Sequence, residues 1–158
     1  MAYCTQSDIE LYARPALVIE WSDDDGDGVA DSSVVTAAIT WADNEINACL
    51  ANLYADYLPF TALTLPGVIK NISVTFAAYR LAYRSQTDQL TDKSQYAKEY
   101  DEARKRLKRI CEGKDKLIDD SGSILPPSGG SSTGNTAFSP DADPIYSKTT
   151  LACYSDFS

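Results

Sequence analysis

The sequence predicts an all-α protein: a small four-helix bundle-like domain with long loops, followed by an extended C-terminal arm. Three long stretches carry apolar residues at steps of three and four, the spacing that places them on one face of an α-helix. Segments that contain proline separate these stretches. After residue 118 the composition changes to serine, glycine and proline with few aliphatic residues. We therefore divide the 158 residues into a helical domain, 1–118, and an arm, 119–158.

A short first helix is predicted at about residues 5–13. Thr5 or Ser7 can cap its N-terminus, and Asp8 lies in the first turn, where a carboxylate suits the positive end of the helix dipole. Pro15 is expected to end this helix. The next segment, ALVIEW, is predicted to be an apolar connector that lies under the domain.

Three longer helices are predicted at about 32–56, 66–86 and 92–112. Pro66 can occupy the first turn of the second of these helices, and Gly113 is expected to stop the third. Each helix carries an apolar stripe. The stripes consist, in order, of Val35, Ile39, Ala42, Ile46, Cys49 or Leu50, and Leu53; of Ile69, Ile72, Phe76, Tyr79 and Tyr83; and of Tyr96, Tyr100, Ala103, Leu107 and Ile110.

The net charge of −9 is distributed unevenly along the chain. Residues 1–60 contain eleven acidic side chains and one basic side chain, Arg14, whereas residues 96–118 contain eight basic and five acidic side chains. Opposite charges on two parts of one molecule steer identical copies toward a head-to-flank arrangement. The interleaved charges of the last helix are also typical of a solvated helix face.

The composition weighs against an enzyme. The chain has no histidine, so the most common general base and the serine–histidine and cysteine–histidine nucleophile systems are absent. Its four cysteines match no zinc spacing. A structural disulfide is an alternative that the sequence does not support, and we expect reduced thiols, with Cys49 and Cys111 acting as small core residues. No long apolar run and no signal-like N-terminus occur, so we expect a soluble, cytoplasmically made protein with no membrane partner.

The segment DDDGDGVAD, residues 23–31, is similar to a calcium-binding loop. Carboxylates at alternate positions can point inward to a hard cation, and a glycine at the sixth position allows the sharp turn. The twelfth position, where such loops have a bidentate glutamate, is Val34 here, so the expected affinity is weak, on the order of 10⁻⁴–10⁻³ M. The candidate calcium ligands are Asp23, Asp25, Asp27, Asp31 and the backbone carbonyl of Val29, with Gly28 at the turn.

The same segment also has a simpler interpretation. Aspartate and glycine form turns, and Asp31 or Ser32 can cap the helix that follows, which explains the composition without a metal ion. Five carboxylates in nine residues repel one another, however, and therefore favour either full solvation or a bound cation. Both interpretations stay open at this point.

The order of these segments resembles the small Mu-like phage neck proteins, a group of head-tail connectors that are also called adaptor or head-completion proteins. Typical members open with M-x-Y-x-T-x-x-D, carry a D-D-x-G-D-G-x-x-D loop before a long helix, and end with A-x-x-x-L-x-x-I-x-x-G. The resemblance covers about residues 1–118. The matching residues are Met1, Tyr3, Thr5 and Asp8; Asp23 to Asp31; and Ala103, Leu107, Ile110 and Gly113.

This resemblance implies a structural virion protein, not an enzyme, located in the neck of a tailed phage and assembled in the host bacterial cytoplasm. Similar proteins form a ring, typically a dodecamer, between the portal protein above and a tail, stopper or tail-terminator protein below. DNA passes through the ring, and the acidic surplus of this chain predicts weak, non-specific contact with it. No cofactor is required, apart from the Ca²⁺ that the aspartate loop could bind.

The C-terminal arm cannot bury enough apolar surface by itself to offset its ordering entropy. In similar proteins such an arm reaches the portal or neighbouring subunits, and spaced apolar anchors would serve that purpose here. The anchors are Ile124, Leu125, Phe138, Ile145, Tyr146, Leu151, Tyr154 and Phe157. An alternative function is a calcium-dependent protein-binding module built around the D-x-D-x-D-G loop, although such modules usually carry paired loops.

Overall fold

The computed structural model describes residues 2–85 and 93–128, and in this part of the chain it contains five α-helices and no β-strand. The all-α prediction is therefore confirmed, with one helix more than expected. The helices are α1 (Gln6–Ala13), α2 (Pro15–Ser22), α3 (Ser32–Leu50), α4 (Gly67–Arg84) and α5 (Lys93–Cys111), and a 3₁₀ helix spans Ala55–Tyr57.

The N-terminal helix begins as predicted, but the connector after it is a helix. Thr5 and Asp8 form a reciprocal capping box, in which each side chain accepts a hydrogen bond from the backbone N–H of the other residue. Arg14, with φ of 72°, separates α1 from α2. Pro15 then begins α2, because its fixed φ suits a first helical turn, whose N–H groups have no helical partner. The predicted ALVIEW connector was wrong: this segment is helical and buries Val18 in the core.

Helices α3 and α4 run antiparallel through the centre of the domain. The Ser73 hydroxyl donates a hydrogen bond of 2.8 Å to the Asp43 carboxylate, and the rings of Trp41 and Phe76 lie 6.3 Å apart. Later residues of α4 therefore meet earlier residues of α3. Helix α5 packs along α4, with the Tyr100 ring stacked at 4.2 Å on the Tyr79 ring.

Two helix ends and one residue of an apolar stripe differ from the sequence prediction. Helix α3 ends at Leu50, not near residue 56, and Pro66 precedes α4 as its N-cap. Tyr83, which was predicted to lie on the apolar stripe of α4, is 53% exposed. Gly113 stops α5 as predicted: its φ of 69° lets the Lys114 N–H donate back to the Arg109 carbonyl.

A disulfide joins Cys49 at the end of α3 to Cys111 at the end of α5, with their Cα atoms 5.8 Å apart. The prediction of reduced core thiols was wrong for this pair. Since α3 and α5 both run antiparallel to α4, their C-terminal ends meet, although 62 positions separate the two cysteines in sequence. Cys4 is a free cysteine, and burial raises the pKa of its thiol to about 11.

The chain continues to pack on the domain beyond residue 118. Leu117 is fully buried, and Ile118 forms an isolated antiparallel bridge with Ile124. Ser128 donates its backbone N–H to the Leu53 carbonyl. Residues 119–128, which were predicted to belong to the arm, thus fold back on the helices. Leu125 packs against the core of its own chain, and the anchors from Phe138 to Phe157 lie outside the described residues.

The N-terminal segment is fastened to α3 by a buried carboxylate. Asp43 is 8% exposed and accepts hydrogen bonds from the Tyr3 backbone N–H at 3.0 Å and from the Ser73 hydroxyl. Burial raises the pKa of Asp43, because desolvation disfavours its charged form. The Tyr3 hydroxyl in turn accepts a bond of 3.2 Å from the Phe60 N–H. We call Tyr3, Asp43 and Ser73 the N-terminal clasp.

Candidate functional site

Two charged segments, the acidic loop 23–31 and the basic second half of α5, lie toward opposite ends of the domain. The loop end contains residues 23–31, the start of α3 and the end of α4. The disulfide end contains the Cys49–Cys111 bond, the start of α4 and residues 113–128. Helix α3 has 19 residues and connects the two ends, so at 1.5 Å per residue they are separated by about 28 Å.

The loop end gathers three of the predicted calcium ligands. Carboxylate oxygens of Asp23, Asp25 and Asp27 all lie within 4.8 Å of one another. The Asp23 carboxylate accepts backbone N–H bonds from Gly26 at 2.7 Å, from Asp27 at 3.2 Å and from Gly28 at 2.9 Å. Gly26 and Gly28 have φ of 76° and 80°, values that side chains rarely allow, so the glycines make this turn feasible.

Asp31 belongs to the loop as well, but it does not cap the helix. It occupies the N-cap position of α3 without a side-chain cap bond, and its carboxylate instead accepts the Asp24 N–H at 2.9 Å. The carboxylate therefore closes the loop across seven residues. Val29, whose carbonyl was the remaining candidate ligand, is 62% exposed. Val34, at the twelfth position, packs partly against the core and offers no carboxylate.

The loop retains acceptor capacity after its internal bonds are counted. An ionised carboxylate has about four lone-pair sites. Asp23 uses three of them, whereas Asp25 and Asp27 each accept one backbone N–H. The donor set is all oxygen, as a hard cation such as Ca²⁺ prefers, but six to eight ligands are needed and water would have to complete them. The residues thus fit a weakly held cation.

Backbone and side-chain groups offset much of the repulsion in this loop. The backbone N–H of Gly28, followed by those of Gly26 and Asp27, lowers the pKa of Asp23. Arg84 at the end of α4 forms an ion pair with Asp24, and both side chains are about half exposed. No local sequence pattern predicts this pair, because 60 positions separate its members.

An apolar groove runs between α3 and α4 beside the acidic loop. Its volume is about 370 Å³. The Arg80 guanidinium lies 5.1 Å from the centre of the Trp41 ring and covers one side of the groove, while the small side chain of Ala37 leaves it open. We call this the α3/α4 groove. It is lined by Ser33, Val34, Ala37, Ala38, Trp41, Arg80, Leu81 and Arg84.

Basic side chains concentrate on the half of α5 nearer the disulfide end. Arg109 forms two hydrogen bonds of 2.8 Å with Asp115, so its charge is paired. Arg104, Lys105 and Arg106 are exposed and, within the described part of the chain, make no ion pair at 4.0 Å or less. We call these three residues the basic patch.

Fold and surface together define a small all-α protein with an acidic loop toward one end of its helical domain and a basic stretch of α5 toward the other. In the described ranges, no helix combines the length and apolarity that crossing a membrane requires. Residues 3–134 match a family model described as Bacteriophage Mu, Gp36, and the chain belongs to this family. It is accordingly a bacteriophage structural or morphogenesis protein. No curated protein matches the chain.

Proposed function

We propose that the protein is a structural component of the virion neck, where copies of it form a ring that joins the portal to the tail and lets DNA pass. The observation that carries this proposal is the separation of charge: the acidic loop and the basic patch lie in opposite halves of one helical domain. One molecule cannot bring them together. Two copies can, and contacts between unlike surfaces of identical copies close into a ring when the rotation closes.

The expected partners follow from this arrangement and from the family. The portal protein would lie above the ring and a stopper, tail-terminator or tail protein below it. An excess of nine negative charges disfavours tight binding of phosphates, so DNA should slide through with weak, non-specific contacts. Twelve copies is the number expected from the resemblance to other neck proteins.

Electron microscopy of the purified protein, alone and mixed with the portal protein of the same phage, tests the ring. We expect closed rings, of about twelve copies, in at least the mixture with portal. Top views count the subunits directly. A protein that stays monomeric in both samples would remove the neck ring from consideration.

A truncation tests the role of the C-terminal arm. Because Ser128 bonds to the Leu53 carbonyl and its hydroxyl accepts the Asp56 N–H, the chain should be cut after residue 128, not after residue 118. We expect the shortened protein to retain its helical circular dichroism and to lose docking onto the portal. Unchanged docking of the folded, shortened protein would show that residues 129–158 do not bind the portal.

The geometry of the acidic loop supports a second proposal, a weak calcium site within a calcium-dependent protein-binding module. Its ligands would be the clustered carboxylates of Asp23, Asp25 and Asp27, with Asp31 and the Val29 carbonyl beside them. We expect a dissociation constant on the order of 10⁻⁴–10⁻³ M.

Calorimetric titration with Ca²⁺ and Tb³⁺ luminescence test this site. Asp25→Asn should weaken the response, whereas Asp101→Asn, an exposed change outside the loop, should leave it intact. Absence of any response at millimolar ion excludes the metal. Circular dichroism of the monomer should also be compared in Ca²⁺ and in the presence of a chelator. Loss of the helical signal with the chelator would favour the binding-module function over the neck ring.

A further inference from the structure

A hydrogen-bonded turn at the disulfide end carries an exposed leucine. Leu63 is 90% exposed. The turn that carries it is closed by two bonds, from the Thr61 N–H to the Thr64 hydroxyl at 3.0 Å and from the Thr64 N–H to the Thr61 carbonyl at 3.1 Å. Phe60, which precedes the turn, is 1% exposed and anchors it in the core. The turn therefore presents Leu63 to solvent in a defined position.

The α3/α4 groove at the other end has the complementary character. Val34, Trp41 and Leu81 give it apolar walls, and its volume of about 370 Å³ has room for a leucine side chain. Ala37 is exposed at its surface, so entry from solvent is open. An exposed apolar side chain and an open apolar groove each gain free energy when one covers the other.

Leu63 cannot reach the groove of its own chain. Residues 61 and 62 line a recess together with Gly67 and Lys70, which places the turn beside the start of α4. On α3 the groove extends from Ser33 to Trp41, and Leu50, at the disulfide end, lies nine residues beyond Trp41, or about 14 Å. Contact between the two features therefore requires a second molecule.

We propose that Leu63 of one copy inserts into the α3/α4 groove of a second copy, an inference that rests on the proposed ring and names the surfaces that form it. Charge supports the same pairing. Two cationic side chains, Arg80 and Arg84, line the groove. The recess beside the Leu63 turn is lined by two carboxylates, Asp8 and Asp120, and by Lys70, so the contact brings opposite charges toward each other. Its strength should fall as salt is added.

The contact joins unlike surfaces, and this makes a complementation experiment decisive. Leu63→Asp removes the leucine and leaves the groove intact, whereas Ala37→Trp fills the groove and leaves the leucine intact. Each variant alone should associate at least about tenfold more weakly than wild type, because the buried apolar contact is lost. Mixed together, they should form a one-to-one dimer and stop there. Leu11→Asp is the matched control, since Leu11 is 86% exposed.

Sedimentation equilibrium and electron microscopy of the full chain, with and without portal protein, measure these outcomes. If wild type forms rings and both variants form them equally well, the Leu63 contact is wrong and the ring stands. If wild type stays monomeric even with portal, both proposals fail. A mixture of the two variants that gives no dimer also overturns the contact.

Disulfide cross-linking tests the same contact independently, in case Leu63→Asp or Ala37→Trp does not fold. Leu63→Cys and Ala37→Cys chains, mixed and oxidised, should give a covalent dimer on a non-reducing gel. The control mixture of Leu11→Cys and Ala37→Cys chains should give no such dimer. Equal cross-linking in the two mixtures would overturn the contact.

Discussion

The two ends of the domain are closed by different kinds of interaction. At the disulfide end a covalent bond joins α3 to α5, and the chain returns through the Ile118–Ile124 bridge to Ser128. At the loop end, carboxylates in solvent accept backbone N–H groups, and one half-exposed ion pair, Arg84–Asp24, ties the loop to α4. Covalent and buried contacts hold their geometry under most conditions, whereas exposed charges respond to protons, salt and partners. We therefore expect the disulfide end to keep its structure when conditions change, and the loop end to respond to pH, salt and partners.

Removal of the disulfide should have the largest effect on this comparison. The bond closes a loop of 62 residues, for which chain entropy predicts a contribution of about 4 kcal/mol to the free energy of unfolding. Urea unfolding of the oxidised protein and of the double variant Cys49→Ala/Cys111→Ala measures it. Cys4, a buried free cysteine, is unchanged in both proteins, so a difference in stability reports on the Cys49–Cys111 pair. Equal midpoints would show that the disulfide end does not depend on its covalent bond.

Asp43→Ala should rank second. The change leaves the Tyr3 N–H and the Ser73 hydroxyl without an acceptor in a buried place, which costs about 2–4 kcal/mol of unfolding free energy. Asp43→Asn keeps one acceptor oxygen and should lose less. Chemical denaturation followed by circular dichroism compares the three proteins. A loss below 1 kcal/mol for the alanine variant would mean that the clasp contributes little.

The pH dependence of stability should separate the two environments by sign. Burial raises the folded-state pKa of Asp43, so its contribution to stability falls as pH rises from about 3.9 through that pKa. Backbone N–H groups lower the pKa of Asp23, so its contribution falls as pH drops below about 3.9. Thermal melts across this range should therefore show Asp43→Asn flattening the upper part of the profile and Asp23→Asn the lower part. The reverse assignment would contradict both pKa directions.

The Arg84–Asp24 pair should have the smallest effect. Both side chains are about half exposed, so solvent screens the pair and its contribution should stay below about 1 kcal/mol. A double-mutant cycle with Arg84→Gln and Asp24→Asn, repeated at low and high salt, measures the coupling. A coupling that exceeds this value, or that high salt leaves unchanged, would show that the loop end is held more firmly than its exposure indicates.

Much of the fold could be predicted because helical periodicity is local. Helices α3, α4 and α5 have 18 or 19 residues each, which is long enough for the three- and four-residue spacing of their apolar residues to be recognised. Helix α2 was missed because its eight residues are almost uniformly apolar, and because Pro15 can end one helix and begin another. Residues 119–128 were assigned to the arm on composition alone, which carries no information about contacts with Leu53 or Asp56.

The clustering of the loop carboxylates could also be predicted from sequence, since the aspartates lie within nine residues. The closure of the loop could not be predicted: whether the Asp31 carboxylate turns forward to cap α3 or back to the Asp24 N–H depends on backbone geometry. The disulfide, the clasp and the Arg84–Asp24 pair join positions 62, 40 and 60 residues apart, and no local pattern marks such contacts. Clustering of residues that are close in sequence could therefore be predicted, whereas these long-range contacts could be found only in the structure.

The fastening of Ser128 has a consequence for everything that follows it in the chain. Its bonds to Leu53 and Asp56 fix the point at the disulfide end from which residues 129–158 start. Thirty residues span at most about 100 Å when fully stretched. A partner surface that any of residues 129–158 contacts must therefore lie within that distance of Ser128, and deleting these residues one at a time would measure how far away the contact is.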